Sequence, residues 1–129
     1  MKNQVVANSI VLTTGMFDLL KEQIRKGKFT KFNEEKVTNE LKGAMQVLRR
    51  NLPSDVVDVN TKVELLDLTD NKEVTYEFVP HEKARKMNGT ESILSSMGMA
   101  LVGYREGVEV SWQTDDRIKK YLIKSVSRL

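Results

Sequence analysis

The chain has 129 residues, 40% hydrophobic and 30% charged, with a net charge of +3, which suits one compact domain, alone or with a small appendage, and a solvated surface. It contains no cysteine and a single histidine, which excludes disulfides, thiolate zinc sites and a nitrogen-rich metal cluster, so no cofactor and no metal are expected. No apolar run approaches the roughly 20 residues of a membrane span, and Ile10-Val11-Leu12 is too short for a leader core, so a cytoplasmic location away from membranes is expected.

In chain order, Gln4 to Leu12 is β-prone and reads as a short strand or an extended lead-in. Thr13 or Thr14 offers an oxygen to cap a helix in which Met16, Phe17, Leu20 and Ile24 recur at helical spacing, fading at Gly27 after Arg25 and Lys26. Asn33 is placed to cap a second helix, with Glu34 and Glu35 in its first turn, where negative charge meets the positive end of the dipole. Val37, Leu41, Ala44, Met45 and Leu48 form its apolar stripe, and Pro53 halts it. The two helices predict an antiparallel hairpin, a short coiled coil whose second helix, at roughly 18 residues, would be about 27 Å long.

From Ser54 the period changes. Val63 and Leu65, then Val74, Tyr76 and Phe78, alternate with polar residues, and Thr69-Asp-Asn-Lys72 turns between them, which predicts a strand hairpin. His81 to Gly89 is a charged loop, and Ser92–Leu94, Val108–Trp112 and Ile118–Val126 supply further strands. Met97, Ala100 and Leu101 sit at i, i+3 and i+4 on a short helix that Gly103 is placed to end. The fold class is therefore α+β: residues 1–52 form a lead-in and helical hairpin, and residues 53–129 a twisted, mostly antiparallel sheet with one short helix.

The charge divides at the same place. Residues 1–52 carry 10 Lys/Arg against 5 Asp/Glu, and residues 53–129 carry 11 against 13. A basic arm joined to a mildly acidic body either presents two surfaces to two partners or merely solvates an exposed hairpin. At the tip, Lys28 and Lys31 interleave with Phe29 and Phe32, a minimal surface for weak nucleic-acid contact, unless both rings fold back to close the hairpin. Arg49-Arg50 suits the end of the second helix and could lock the arm to the acidic body. His81 reads as solvated, and Trp112 and Tyr121 as packing residues. Met97 and Leu101 are expected to face the sheet, whereas Met99 points elsewhere, either buried or free as an adaptable apolar contact beside Ser95 and Ser96.

The stretch Ser95-Ser-Met-Gly-Met-Ala-Leu-Val-Gly103, an S-x-x-G-x-A-L-x-G core, resembles the C-terminal domain of the bacterial Gre transcript-cleavage factors and of their shorter relative Rnk. Lys62-Val-Glu-Leu-Leu-Asp-Leu68 with Glu73-Val-Thr-Tyr-Glu-Phe-Val-Pro80 is similar to that domain's first hairpin. Gly103-Tyr-Arg-Glu-Gly107 resembles its glycine turn, and Tyr121-Leu-Ile-Lys-Ser-Val126 its last strand. Asp55-Val-Val-Asp-Val-Asn60 is especially Rnk-like. The chain departs from the pattern at Ser96, where proline is usual, at Val108-Glu109, where the acidic residue is displaced by one place, and at Thr114-Asp115-Asp116, which replaces Pro-Gly-Gly.

The resemblance implies an FKBP-like body and a partner, RNA polymerase, bound at the mouth of its secondary channel through Ser95, Ser96, Met97, Gly98, Met99, Ala100 and Leu101. It also implies an arm whose tip carboxylates help hold magnesium for transcript hydrolysis. Here the tip is basic, and adjacent Glu34 and Glu35 point about 100° apart on a helix, an awkward pair for one ion. The expectation is thus a non-enzymatic transcription regulator, with no catalytic residue, that binds polymerase without stimulating cleavage. The alternatives are a cleavage factor using Glu34 and Glu35, or an FKBP-like proline isomerase.

Overall fold

The computed structural model describes residues 10–129. Strand β1 (Val11–Thr13) leads into α1 (Thr14–Arg25), and α2 (Lys31–Lys42) returns antiparallel to it before β2 (Met45–Val47). The body contains β3 (Thr61–Asp67), β4 (Lys72–Val79), β5 (Thr90–Ser92), α3 (Ser96–Leu101), β6 (Glu109–Thr114) and β7 (Arg117–Arg128). The five body strands form one sheet in the order β5-β4-β3-β7-β6, antiparallel except for the β4–β5 pair. This is the α+β architecture expected, and among the described residues no helix is long and apolar enough to cross a membrane. Of the β-prone Gln4–Leu12 segment, residues 4–9 lie outside the described range.

Local chemistry explains most element boundaries. The Thr13 hydroxyl accepts the Met16 N–H at 3.2 Å and caps α1. In β3, Thr61, Val63, Leu65 and Asp67 are buried while Lys62 and Glu64 are exposed, the period-two pattern of a sheet with one covered face.

Three boundaries differ from expectation. Helix α2 is capped by Thr30, whose hydroxyl accepts the Asn33 N–H at 3.2 Å, rather than by Asn33. It ends at Gly43, not near Pro53, and its 12 residues span about 18 Å. Met45–Val47 instead extends and pairs in parallel with Val11–Thr13 as a separate two-stranded sheet, which leaves Met45 58% and Leu48 55% exposed. Backbone pairing with a strand more than 30 residues away outweighs the helical stripe there. The third shift places β5 at Thr90–Ser92, two residues before the expected strand.

Arm and body share one core. Ile10, Leu12, Met16, Leu20, Val37 and Leu41 cluster with Val63, Phe78, Leu101 and Trp112. The Val11 N–H donates to the Gly103 carbonyl at 2.9 Å, stitching the lead-in to the end of α3. Arg49, in a single 3-10 turn, donates to Asp58, which is only 2% exposed, at 3.0 Å. The expected arm-to-body lock is thus present, although Arg49 lies beyond α2.

At the far end of the sheet, Lys119 bridges Asp67 at 2.6 Å and Asp70 at 3.0 Å, and Arg117 reaches Asp70 at 2.9 Å. The Arg117 hydrogen bond, then that of Lys119, holds the Asp70 carboxyl at about 2 rather than the ordinary 3.8. A carboxyl whose folded value is depressed adds stability above its unfolded value, and that stability is lost as pH falls through the folded one. The urea midpoint of Asp70→Asn should therefore lie below that of the parent at pH 6. The gap should close between pH of about 4 and about 2; a gap independent of pH would refute the assignment.

Candidate functional site

The S-x-x-G spacing has a local physical reason. The Ser95 hydroxyl accepts the Gly98 N–H at 3.1 Å and caps α3. A Cβ on Gly98 would fall 2.3 Å from the Ile93 carbonyl oxygen, so only glycine lets the helix lie on that backbone. Gly103, at φ +91°, reverses the chain where a Cβ would meet Leu12 at 2.8 Å. One residue after the cap, Ser96 Oγ accepts the indole N–H of Trp112 at 2.9 Å, which ties the start of α3 to β6.

On the other side of Trp112 stands the arm. Phe29 packs edge-on against the indole, with centroids 6.0 Å apart at 87°. The Asn33 carboxamide donates to the Gln113 carbonyl at 3.0 Å and accepts the Gln113 N–H at 2.8 Å, acting as a one-residue strand on the β6 edge. Lys36 is ion-paired with Glu40, lies 3.0 Å from the Tyr104 hydroxyl, and sits over the Tyr104 and Trp112 rings. Burial pulls the Lys36 ammonium below its usual range and pushes the Glu40 carboxyl up, each opposed by the charge of the other. A cleft of about 660 Å³ opens between these parts, lined by Lys28, Phe29 and Asn33 of the arm and by His81, Ser96 and Met99 of the body.

The two expected site groups therefore meet, but only in part. Lys28 and Phe29 join Ser96 and Met99 in the cleft, while Lys31 and Phe32 are exposed outside it. Glu34 and Glu35 lie apart in a shallow depression with Thr38 and Asn39. Among the described residues no group of three or more His, Cys, Asp or Glu side chains converges. Met97, Gly98, Met99, Ala100 and Leu101 are buried. Met99, at 9% exposure, is thus not the free apolar contact that was one of its two expected fates. Phe29 folds back, onto Trp112, but Phe32 stays exposed, so the reading in which both tip rings close the hairpin holds for one ring only. His81 is exposed with Nδ1 2.9 Å from Ser92 Oγ. Asn33, Lys36 and Gln113 were missed as a docking set. The i, i+4 spacing of Lys36 and Glu40 was the one available signal.

Residues 52–128 match the family described as "Transcription elongation factor, GreA/GreB, C-term". The chain is 36% identical over 100 residues to transcription elongation factor GreA of Clostridium beijerinckii, a match covering 78% of this chain and 62% of that protein. It is 34% identical to a Clostridium botulinum GreA over the same shares. The chain thus spans less than two thirds of the length of these relatives. In fold it is similar to a GreA/GreB elongation factor structure from Nitrosomonas europaea, with a TM-score of 0.63 at 22% identity, covering 92% of this chain and 98% of that one. These matches overturn an earlier expectation: the relatives are named as transcription elongation factor GreA, so the non-enzymatic expectation does not stand.

Proposed function

The chain belongs to the GreA/GreB family, and from that premise we propose that it acts as a transcription elongation factor on RNA polymerase, with residues 53–129 as the docking body and residues 1–52 as the arm. The observation that carries this reading is where the family match falls. It covers the whole sheet-and-helix body, including the S-x-x-G core whose glycine a backbone carbonyl requires. In this reading Ser95–Leu101 is the polymerase-binding segment. Ser96 is its exposed member at the mouth of the cleft, and the buried Met97–Leu101 set its position.

Displacement of labelled GreA from core RNA polymerase tests the docking. Saturable displacement by this protein is expected, weakened roughly tenfold by Ser96→Arg, since one charge set at the centre of an interface costs more than a charge on its rim. Polymerase that keeps its GreA at saturating protein would refute the reading. A stalled elongation complex supplied with the protein and Mg²⁺ measures the transcript directly. Shortened transcripts, lost in Glu34→Gln/Glu35→Gln, would place the reaction on the arm-tip carboxylates; shortening that survives that change would place it elsewhere.

A further inference from the structure

The outer face of the arm carries a second, distinct hollow of about 390 Å³, which the body does not fill. Its floor is apolar: Phe17 and Ile24 of α1, one face of the helix at i and i+7, and Leu41 of α2. Its walls are Lys21, Arg25 and Lys42, and no carboxylate lines it. Arg25 is hydrogen-bonded to Glu22, whereas Lys21 and Lys42 form no ion pair with any carboxylate among the described residues. The Lys21 ammonium sits 5.6 Å from the centre of the Phe17 ring, so its stem crosses the floor and its charge reaches the rim.

We infer that this groove docks an acidic amphipathic helix of a protein partner, its apolar stripe on Phe17, Ile24 and Leu41 and its flanking carboxylates against Lys21, Arg25 and Lys42. Charge selects the occupant. A second copy of the chain would bring the same cations face to face, and a basic helix would meet the same repulsion. Single-stranded nucleic acid needs an open aromatic face for stacking, and Lys21 stands over the Phe17 ring. Shape agrees with charge. Two antiparallel helices of 12 residues present a furrow about 18 Å long, the length of a three-turn helix laid beside them. The inference is independent of the Ser96 docking surface, which lies on the body.

The probe is a labelled helix-forming peptide of about four turns with Leu and Phe at i, i+3, i+4 and i+7 and glutamate on both flanks, compared with the same peptide carrying lysine for glutamate. The intact protein should bind the acidic peptide in preference. Lys21→Glu/Lys42→Glu should lower that affinity roughly tenfold, as two exposed ion pairs would, and should gain affinity for the basic peptide. Both lysines are exposed, so the variant should keep the parent's circular dichroism and melting curve. Equal binding of the two peptides, no binding of the acidic one, or unchanged affinity in the variant would overturn the inference. So would a protein dimer, or adhesion to phosphatidylserine vesicles, that this variant abolishes while peptide binding is absent.

Discussion

Gly98→Ala is expected to destabilise the protein by about 3 kcal/mol, the upper end of the usual cost of overpacking, and to lower the Tm by roughly 10 °C. The cause is a single contact. The added methyl would lie 2.3 Å from the Ile93 carbonyl oxygen and 2.7 Å from its carbon, and these are main-chain atoms that no rotamer change can move. Ile93 is itself held, because its N–H donates to the Val79 carbonyl at 2.9 Å at the end of β4. Relief therefore requires α3 to lift off the sheet, which would also strain the Ser95 cap and the Ser96–Trp112 bond. Urea unfolding followed by circular dichroism checks the size. A loss below about 1 kcal/mol would mean that α3 does not sit on that carbonyl. Gly43→Ala is the matched control, since nothing lies within 4 Å of a Cβ there.

Trp112→Ala should cost about 3–5 kcal/mol, the range for removing a large buried aromatic. The side chain is 1% exposed and touches both halves of the molecule: Ser96 through its N–H, Phe29 through its ring edge and Lys36 through its face. A core residue that served the body alone would loosen the body alone. This one should also release the arm, so amide exchange across Thr30–Leu41 should accelerate more than exchange across β3. Trp112→Phe separates the contributions. It keeps most of the ring and loses the indole donor, leaving Ser96 near solvent, and should cost only about 1 kcal/mol. Comparable losses for the two variants, or arm protection unchanged in Trp112→Ala, would disprove the coupling.

These residues also mark how far the sequence could be read. The Thr13 cap, the alternation of β3 and β4 and the S-x-x-G turn were legible because each rests on neighbours within a few positions. Helix α2 shows where that fails. Thr30 and Asn33 are both good capping residues, and the choice between them is made 80 positions away, where the Gln113 backbone takes the Asn33 carboxamide and leaves the cap to Thr30. The stripe from Val37 to Leu48 is helical in pattern throughout. Its last third becomes a strand because Val11–Thr13 offers a ladder, a partner invisible to any local window. Met99 was ambiguous for the same reason: it is covered only once α3 lies on the sheet and the lead-in crosses the helix's end. The non-enzymatic expectation was read from the short, basic arm of residues 1–52, whereas the GreA kinship that overturns it is written across the body.

The bond between Asn33 and Gln113 has a consequence for solubility. In the order β5-β4-β3-β7-β6 the six-residue β6 forms one border of the sheet, and an uncovered border is a template on which other chains can nucleate fibrils. A lone carboxamide satisfies both the donor and the acceptor of Gln113 near the end of that strand, so the arm doubles as a guard against self-templating. Its grip on the body protects the population of molecules as well as the shape of each one.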